Sequence, residues 1–135
     1  MTIKLKDIYL FKGITDDQIS MIIDNSRREK INEWDTIIKQ SDESDWNAYI
    51  IQSWNAIVEI NWDIIKELNE WDIFWEIALI TNEKRTATIK AKTNLILLKL
   101  NKDLLFEIIR KFENWKEIQK IVMDRIIKNT KKKNY

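Results

Sequence analysis

Glycine is nearly absent from this chain, and that shortage limits the turns the chain can make. The sequence contains one glycine, Gly13, among 135 residues, whereas average usage predicts roughly nine. Tight reversals often need a residue with a positive φ, and glycine adopts that conformation without steric cost. Unless another residue takes glycine's place, a chain of this composition has few ways to build such turns.

Tryptophan is the residue in unexpected excess. Seven tryptophans outnumber the four phenylalanines and three tyrosines, and six of the seven have a polar residue on both sides. Buried aromatic residues usually sit in apolar runs, whereas Asp, Asn and Ser are the usual neighbours of turn glycines. We therefore interpret all seven as glycine-like positions: Trp34, Trp46, Trp54, Trp62, Trp71, Trp75 and Trp115.

The composition excludes several classes of function. With 44% hydrophobic and 33% charged residues, the chain is typical of one globular domain spanning residues 1–135. It has neither a long apolar run nor a signal-peptide core, which argues against membrane insertion or export and predicts a cytoplasmic protein. The absence of Cys and His removes the commonest metal ligands and nucleophiles, so we expect no metal, no catalytic residues and no enzyme activity. A net charge of +1 disfavours nucleic acid as a partner, although Lys131–Lys133 are locally basic.

The hydrophobic periodicity changes twice along the chain. Residues 15–29 have helical spacing and begin with a capping box formed by Thr15 and Gln18. Helical spacing returns from Lys102 and again from about Lys116. Between these helices lie short period-two segments, predicted as strands at 36–39, 48–51, 56–60, 64–68, 85–91 and 95–100.

These elements predict an α+β fold that is mainly β. We expect a jelly-roll β-barrel, of the cupin-like double-stranded β-helix type, over residues 31–100. A helical segment at 1–30 precedes it, and C-terminal helices at 101–135 follow. Asn61-Trp62 lies between two predicted strands, where it would form an Asn-Gly hairpin if Trp62 stood for glycine.

Residues 71–91 carry a specific resemblance. Trp71-Asp72-Ile73-Phe74-Trp75-Glu76-Ile77-Ala78-Leu79, followed after a short turn by Arg85-Thr86-Ala87-Thr88-Ile89, is similar to the pattern G-D-x-F-G-E-[IL]-A-L…R-[AST]-A-[TS]-V. That pattern is the phosphate-binding cassette of cyclic-nucleotide-binding domains, the family of protein kinase A regulatory subunits and catabolite-activator-type regulators. Segments 10–18, 33–40 and 48–58 also resemble family motifs, with Trp34, Trp54 and Ser41 at family glycines.

The resemblance implies a site for cAMP or cGMP in a cassette at residues 71–88. Arg85 matches the arginine that binds the cyclic phosphate, and Glu76 matches the carboxylate that accepts from the ribose 2′-hydroxyl. The backbone amides of Ile77 and Ala78 would add donors to the phosphate. Thr86 matches a position where a hydroxyl reaches the phosphate or a guanine edge, and Trp75 occupies the position of a family glycine that allows close backbone approach.

Two functions stay open. The first is a stand-alone cyclic-nucleotide sensor that signals through its C-terminal helices to a second copy or a partner protein. No helix-turn-helix follows those helices, which makes DNA binding a poor expectation. The alternative is a degenerate jelly-roll interaction module that binds no nucleotide, because an indole at Trp75 would crowd the phosphate loop.

The tryptophans also suggest a hypothesis about how the codons of the gene are translated. The chain is rich in Ile, Lys and Asn, as AT-rich coding would give. Some bacterial lineages read the UGA codon as glycine, and a translation that reads UGA as tryptophan would turn each such glycine into tryptophan. On this hypothesis the native chain carries glycine at positions 34, 46, 54, 62, 71, 75 and 115.

Overall fold

The structure is a computed structural model that describes residues 11, 13–79 and 84–132. Two four-stranded antiparallel sheets face each other, and three α-helices cover one of them. The helices are α1 (Asp16–Asp24), α2 (Lys102–Ile109) and α3 (Trp115–Lys132), and a short 3₁₀ helix spans Glu76–Leu79. The strands are β1 (Arg27–Ile31), β2 (Thr36–Ile38), β3 (Asn47–Ser53), β4 (Ala56–Ile60), β5 (Asp63–Leu68), β6 (Ile73–Phe74), β7 (Thr88–Ala91) and β8 (Leu95–Asn101). In the first sheet the order is β1-β8-β3-β6, and in the second it is β2-β7-β4-β5. The predicted jelly-roll class with N- and C-terminal helices is confirmed, with the eight strands arranged as two facing sheets.

Strand β3 explains why the molecule has two apolar cores. Alternate side chains of a strand point to opposite faces, and both faces of β3 are buried. Tyr49 and Ile51 belong to the core between the two sheets. Ala48 and Ile50 belong to the core between the first sheet and the helices. The first sheet is therefore covered on both sides at β3, as the apolar run from Ala48 to Ile51 requires.

The capping box at the start of α1 is confirmed. The Gln18 amide donates to the Thr15 hydroxyl, and the Thr15 amide donates to the Gln18 side chain, both at 3.2 Å. The prediction that this helix continues to residue 29 is wrong, because α1 ends at Asp24 and β1 begins at Arg27. Strand β1 carries four charged residues in five, so it shows no apolar alternation. It lies at an edge of its sheet, where charged residues are common, and Lys99 of β8 pairs with its Glu29 at 3.1 Å.

The other predicted strands lie close to those observed. Five of the six predicted segments overlap β2, β3, β4, β5 and β8 nearly end to end. The sixth was predicted to begin at Arg85, but β7 begins at Thr88, because residues 85–87 turn inward to bury Arg85 and Ala87. Strand β6, two residues long, was not predicted.

Six of the seven tryptophans have a left-handed backbone, with φ between 61° and 75°. Trp34 and Trp71 are each the third residue of a four-residue turn, closed by Asp35 N–H to Asn32 at 3.0 Å and Asp72 N–H to Asn69 at 3.0 Å. That position needs a positive φ in a type II turn. In the β4–β5 hairpin both central residues have positive φ, 51° at Asn61 and 75° at Trp62, as a type I′ turn requires. The predicted glycine-like role is thus present at positions 34, 46, 54, 62, 71 and 75.

Such a backbone strains a residue that carries a Cβ atom. Each non-glycine residue held there costs roughly 1–2 kcal/mol. Six of them together cost on the order of 6–12 kcal/mol, which is comparable to the whole stability of a domain. Trp115 differs, because it is the first residue of α3 and its φ is not positive.

The C-terminal helices form the far wall of the helical core. Asn101 caps α2 by accepting hydrogen bonds from the amides of Asp103 and Leu104. The apolar stripe of α3 (Ile118, Val122 and Ile126) is buried, and α3 packs against α2 and against the 3₁₀ helix. Among the described residues, none of the helices combines the length and apolar character needed to cross a bilayer.

Trp62 allows a clean test of the backbone requirement, because its side chain is 89% exposed. We expect Trp62→Gly to be more stable than Trp62→Ala by about 1 kcal/mol, since only glycine relieves the positive φ. Urea denaturation measures the difference. The matched control is Ile64, which is also exposed but lies in extended β5, where Ile64→Gly should be less stable than Ile64→Ala. If the glycine and alanine variants ranked in the same order of stability at both positions, the turn assignment would be contradicted.

Candidate functional site

A buried arginine lies at the entrance to β7. The Arg85 side chain is 3% exposed, and its backbone is fixed on both sides by the turn that follows β2. The Arg85 amide donates to the Asp42 carbonyl at 2.9 Å, and the Ser41 amide donates to the Arg85 carbonyl at 2.7 Å. Ser41 has a φ of 76°, which fits its place at a family glycine. The turn thus sets where the guanidinium enters the space between the sheets.

Three features define the surroundings of this guanidinium. Nη2 of Arg85 forms a short ion pair with Oδ1 of Asp45. The ring of Trp75 lies against the guanidinium, with 5.3 Å from Cζ to the ring centroid. Within the described residues, the buried Nη1 atom has no hydrogen-bond acceptor. Because burying an unpaired charged donor is costly, this arrangement leaves Arg85 with unused capacity for an anion.

Asp45 is the centre of a small hydrogen-bond network. Its Oδ2 accepts from the Tyr49 hydroxyl at 2.8 Å, and its Oδ1 accepts from the Asn47 amide at 3.1 Å. Partial burial would raise the pKa of Asp45. The hydrogen bonds from Asn47 and Tyr49 and the charge of Arg85 outweigh that effect, so the pKa is lowered. Asp45 is therefore an anion at neutral pH and neutralises the arginine.

Burial acts on the other two groups as well. Burial and the adjacent Asp45 raise the pKa of the Tyr49 hydroxyl, which stays protonated and donates. Burial lowers the pKa of Arg85, and Asp45 opposes that shift. An arginine remains charged in proteins even so. Tyr49 also stacks on Phe74 of the neighbouring strand, with ring centroids 5.3 Å apart, and this contact fixes the hydroxyl that holds Asp45.

The structure brings together two of the predicted cassette residues. Arg85 and Trp75 lie side by side. The 3₁₀ helix begins directly after Trp75, and the Ala78 amide donates to the Trp75 carbonyl at 3.0 Å. The amides of Glu76 and Ile77 precede that first intrahelical bond, so the helix itself does not use them. Thr86 is exposed. The side chains of Glu76 and Ile77, like residues 80–83, lie outside the described part, so the ribose contact of Glu76 stays a prediction.

A groove of about 390 Å³ lies elsewhere, on the outer face of the second sheet. It is lined by Thr36, Lys39, Gln40, Ser41, Glu59, Asn61, Trp62, Thr88 and Lys90. Its polar groups largely satisfy one another, as in the Lys90–Glu59 ion pair at 3.0 Å and the Gln40–Asn61 hydrogen bond at 3.1 Å. None of the predicted phosphate ligands lines it. The buried arginine, rather than this groove, is the better candidate site.

Sequence reasoning missed Asp45 and Tyr49. Forty residues separate Asp45 from Arg85 along the chain. A local signal exists only for the bond to Asn47, because aspartate often accepts from the amide two residues on. The contact with Arg85 depends on the packing of β3 against the loop before β7, which no spacing in the sequence reveals.

Comparison with known proteins identifies the family. A profile of the cyclic nucleotide-binding domain matches residues 28–112. A cAMP-dependent protein kinase type II regulatory subunit from Drosophila melanogaster is 29% identical over 107 residues, which cover 79% of this chain and 28% of that protein. The chain therefore spans less than a third of this relative.

Solved structures agree with that match. The N-terminal domain of a transcriptional regulator from Streptomyces coelicolor superposes with a TM-score of 0.83 at 18% identity, covering 98% of this chain and 96% of the other, and shows the same fold. A structure of PKAR CBD2 with Sp-2Cl-cAMPS bound has a TM-score of 0.72 at 25% identity, covering 95% of this chain and 82% of the other. The fold is the jelly-roll sandwich of cyclic nucleotide-binding domains. This chain belongs to the cyclic nucleotide-binding domain family.

The ion pair between Asp45 and Arg85 predicts a specific pH dependence of stability. Because the pKa of Asp45 is lowered on folding, its contribution is fully present above the unfolded carboxyl pKa of about 3.9. That contribution is lost as the pH falls through the lower folded value. We expect Asp45→Asn to lower the urea midpoint at pH 7, and we expect this deficit to shrink as the pH is lowered below about 3.9. The control is Asp63→Asn, at an exposed carboxylate of β5. A deficit in Asp45→Asn that does not shrink as the pH falls would contradict this account.

Proposed function

We propose that this domain binds a cyclic nucleotide, cAMP or cGMP, in the cassette at residues 71–88, with Arg85 as the anchor of the cyclic phosphate. The observation that carries the proposal is the state of Arg85. It is buried, it retains an Nη1 atom without an acceptor among the described residues, and its one carboxylate partner is half-exposed. A cyclic phosphate is a compact anion that a guanidinium can hold with two parallel hydrogen bonds.

In this proposal Asp45 holds the arginine until the nucleotide arrives. A phosphate oxygen would take the Nη2 contact from Asp45 and satisfy Nη1 at the same time. Asp45 is free to leave because its side chain is 46% exposed, so the released carboxylate can be hydrated. The Ile77 amide would add a donor to the phosphate, as predicted. The Ala78 amide, also predicted as a phosphate donor, is bonded to the Trp75 carbonyl, so we propose the Glu76 amide in its place. The Glu76 side chain would accept from the ribose hydroxyl.

The relatives support this ligand class without selecting the base. The structure similar to this chain at 25% identity is described with Sp-2Cl-cAMPS bound, and the fly relative is a cAMP-dependent kinase regulatory subunit. Thr86, the position that could discriminate guanine, makes no contact that favours either base in the described structure. Titrations with cAMP and cGMP should therefore be run side by side.

Signalling would pass through the C-terminal helices. Leu79, the last residue of the 3₁₀ helix, is fully buried in the same apolar core as Ile118, Val122 and Ile126 of α3. Ala78, one residue earlier, lies in the core between the sheets with Trp75. A phosphate that draws the start of this short helix toward Arg85 would therefore move Leu79 against α3. The role we propose is regulatory rather than catalytic, in the cytoplasm, with a second copy or a partner protein reading the position of α3.

One observation favours a second candidate function. The Trp75 ring is 5% exposed and lies against Arg85, in the space from which a phosphate would approach. A chain that keeps tryptophan there would be a jelly-roll interaction module that binds no nucleotide. The variants at Trp75 described below separate the two functions.

Removing the anchor tests nucleotide binding directly. Arg85→Ala should weaken cAMP or cGMP binding by about 2–5 kcal/mol, the usual effect of losing a buried charged contact. Arg28→Ala, at an exposed arginine of β1, should change affinity by less than about 0.5 kcal/mol. Calorimetric titration measures the affinity of both variants. Arg85→Lys keeps the charge but loses the bidentate geometry, so its affinity should lie between those of the two alanine variants. Equal losses in Arg85→Ala and Arg28→Ala would contradict the site.

Hydrogen exchange tests the signalling route. Saturating cyclic nucleotide should slow amide exchange in residues 118–127 of α3, because a fixed 3₁₀ helix restrains the helix packed on it. The β4–β5 hairpin, remote from that contact, serves as the internal control and should be unchanged. Exchange that slows in the cassette but not in α3 would leave nucleotide binding intact and contradict signalling through this helix.

A further inference from the structure

One backbone property unites six tryptophans whose surroundings differ. Their exposure ranges from 89% at Trp62 to 5% at Trp75. Three of them, Trp46, Trp62 and Trp75, lie against a basic side chain, but within the described residues no such contact is common to all six. Each has a φ between 61° and 75°. If these residues were selected for their side chains, we would expect the same kind of contact or the same surface at all six positions. If they were selected for their backbone conformation, we would expect the same φ at all six.

The other aromatic residues provide an internal control. All four phenylalanines and Tyr49 lie in the described structure, and none of them has a positive φ. Outside tryptophan, the described residues with positive φ are Gly13, Asn61 and Ser41. Glycine and asparagine are the residue types that adopt this conformation most readily. Tryptophan, a bulky residue, is among those for which it is a genuine outlier.

We infer that positions 34, 46, 54, 62, 71 and 75 are glycine in the functional protein, and that its gene encodes them with UGA codons read as glycine. Reassigning one codon changes every affected position at once, which accounts for six identical outliers without six separate causes. It also accounts for a chain with a single glycine. Position 115 is not covered by the φ argument, because Trp115 begins a helix.

Glycine at position 75 would also change the site, a consequence that rests on the proposed function. Trp75 places its ring 5.3 Å from the Arg85 guanidinium. Glycine at position 75 removes that ring and leaves the same left-handed backbone unstrained. The space beside the guanidinium that the indole fills is then free, and the backbone before the 3₁₀ helix can approach Arg85 closely.

The gene and the native protein test the inference first. Codon sequencing should find UGA at all six positions, and intact mass of the protein purified from its own cells should fall below that of the printed chain. The deficit should equal six or seven tryptophan-to-glycine replacements. A UGG codon at any of the six positions, or a mass equal to that of the printed sequence, would overturn the inference whatever the protein binds.

Two sixfold variants test the physical reason. One replaces the six tryptophans with glycine and the matched control replaces them with alanine, so that both lose the indoles and only the alanine variant keeps the Cβ atoms. We expect the glycine variant to melt at least about 10 °C above the alanine variant. An alanine variant as stable as the glycine variant would overturn the backbone argument.

Nucleotide binding is read separately in the same proteins. The sixfold glycine variant should bind cAMP or cGMP at least about tenfold more tightly than the printed chain, and Trp75→Gly alone should recover part of that gain if the chain folds. A glycine variant that is more stable but binds neither nucleotide supports the decoding inference and overturns the proposed function. Tight binding by the printed chain itself would support the proposed function and overturn the role assigned to position 75.

Discussion

A guanidinium buried between two sheets has to be neutralised, and the structure around Arg85 is arranged to do so. Asp45 supplies the negative charge, Tyr49 and Asn47 hold that carboxylate in place, and stacking on Phe74 fixes Tyr49. The turn at Ser41 and Asp42 fixes the arginine backbone. Because removing one member of a buried pair leaves an uncompensated charge, each of these contacts supports the others. In the function we propose, an incoming anion replaces this carboxylate.

The short helix after Trp75 connects this charged site to the rest of the molecule. Its residues belong to both apolar cores, with Ala78 between the sheets and Leu79 under the C-terminal helices. Close-packed cores transmit displacement, because they have few voids to absorb it. In the function we propose, a change at the guanidinium would reach α3 through the short helix, which is in contact with α3.

Much of the fold could be predicted from the sequence, because its signals are local. The capping box of α1, the hairpin at Asn61-Trp62 and the helical spacing after Lys102 depend on neighbouring residues alone. Strand β1 could not be predicted, since four charges in five residues conceal its place beside β8 at the edge of a sheet. The two-residue strand β6 is too short to show any period.

The candidate site also contains residues that could be predicted from the sequence and residues that could not. Arg85 and the helix after Trp75 were found because the cassette is a continuous motif. Asp45 and Tyr49 were not found, because their contact with Arg85 depends on a tertiary arrangement across forty residues. The tryptophans could be recognised as glycine-like from their polar neighbours, but the exception at Trp115 became visible only once the backbone angles were known.

The account depends on Arg85 exchanging its carboxylate partner for a cyclic phosphate. The most direct measurement is the NMR signal of the Arg85 guanidinium, assigned by comparison with Arg85→Lys, followed while cAMP or cGMP is added to the sixfold glycine variant. The account predicts that this signal shifts in proportion to nucleotide bound, and that the Tyr49 hydroxyl, which shares Asp45, responds with it. Nucleotide binding that leaves the Arg85 signal unchanged would contradict the account.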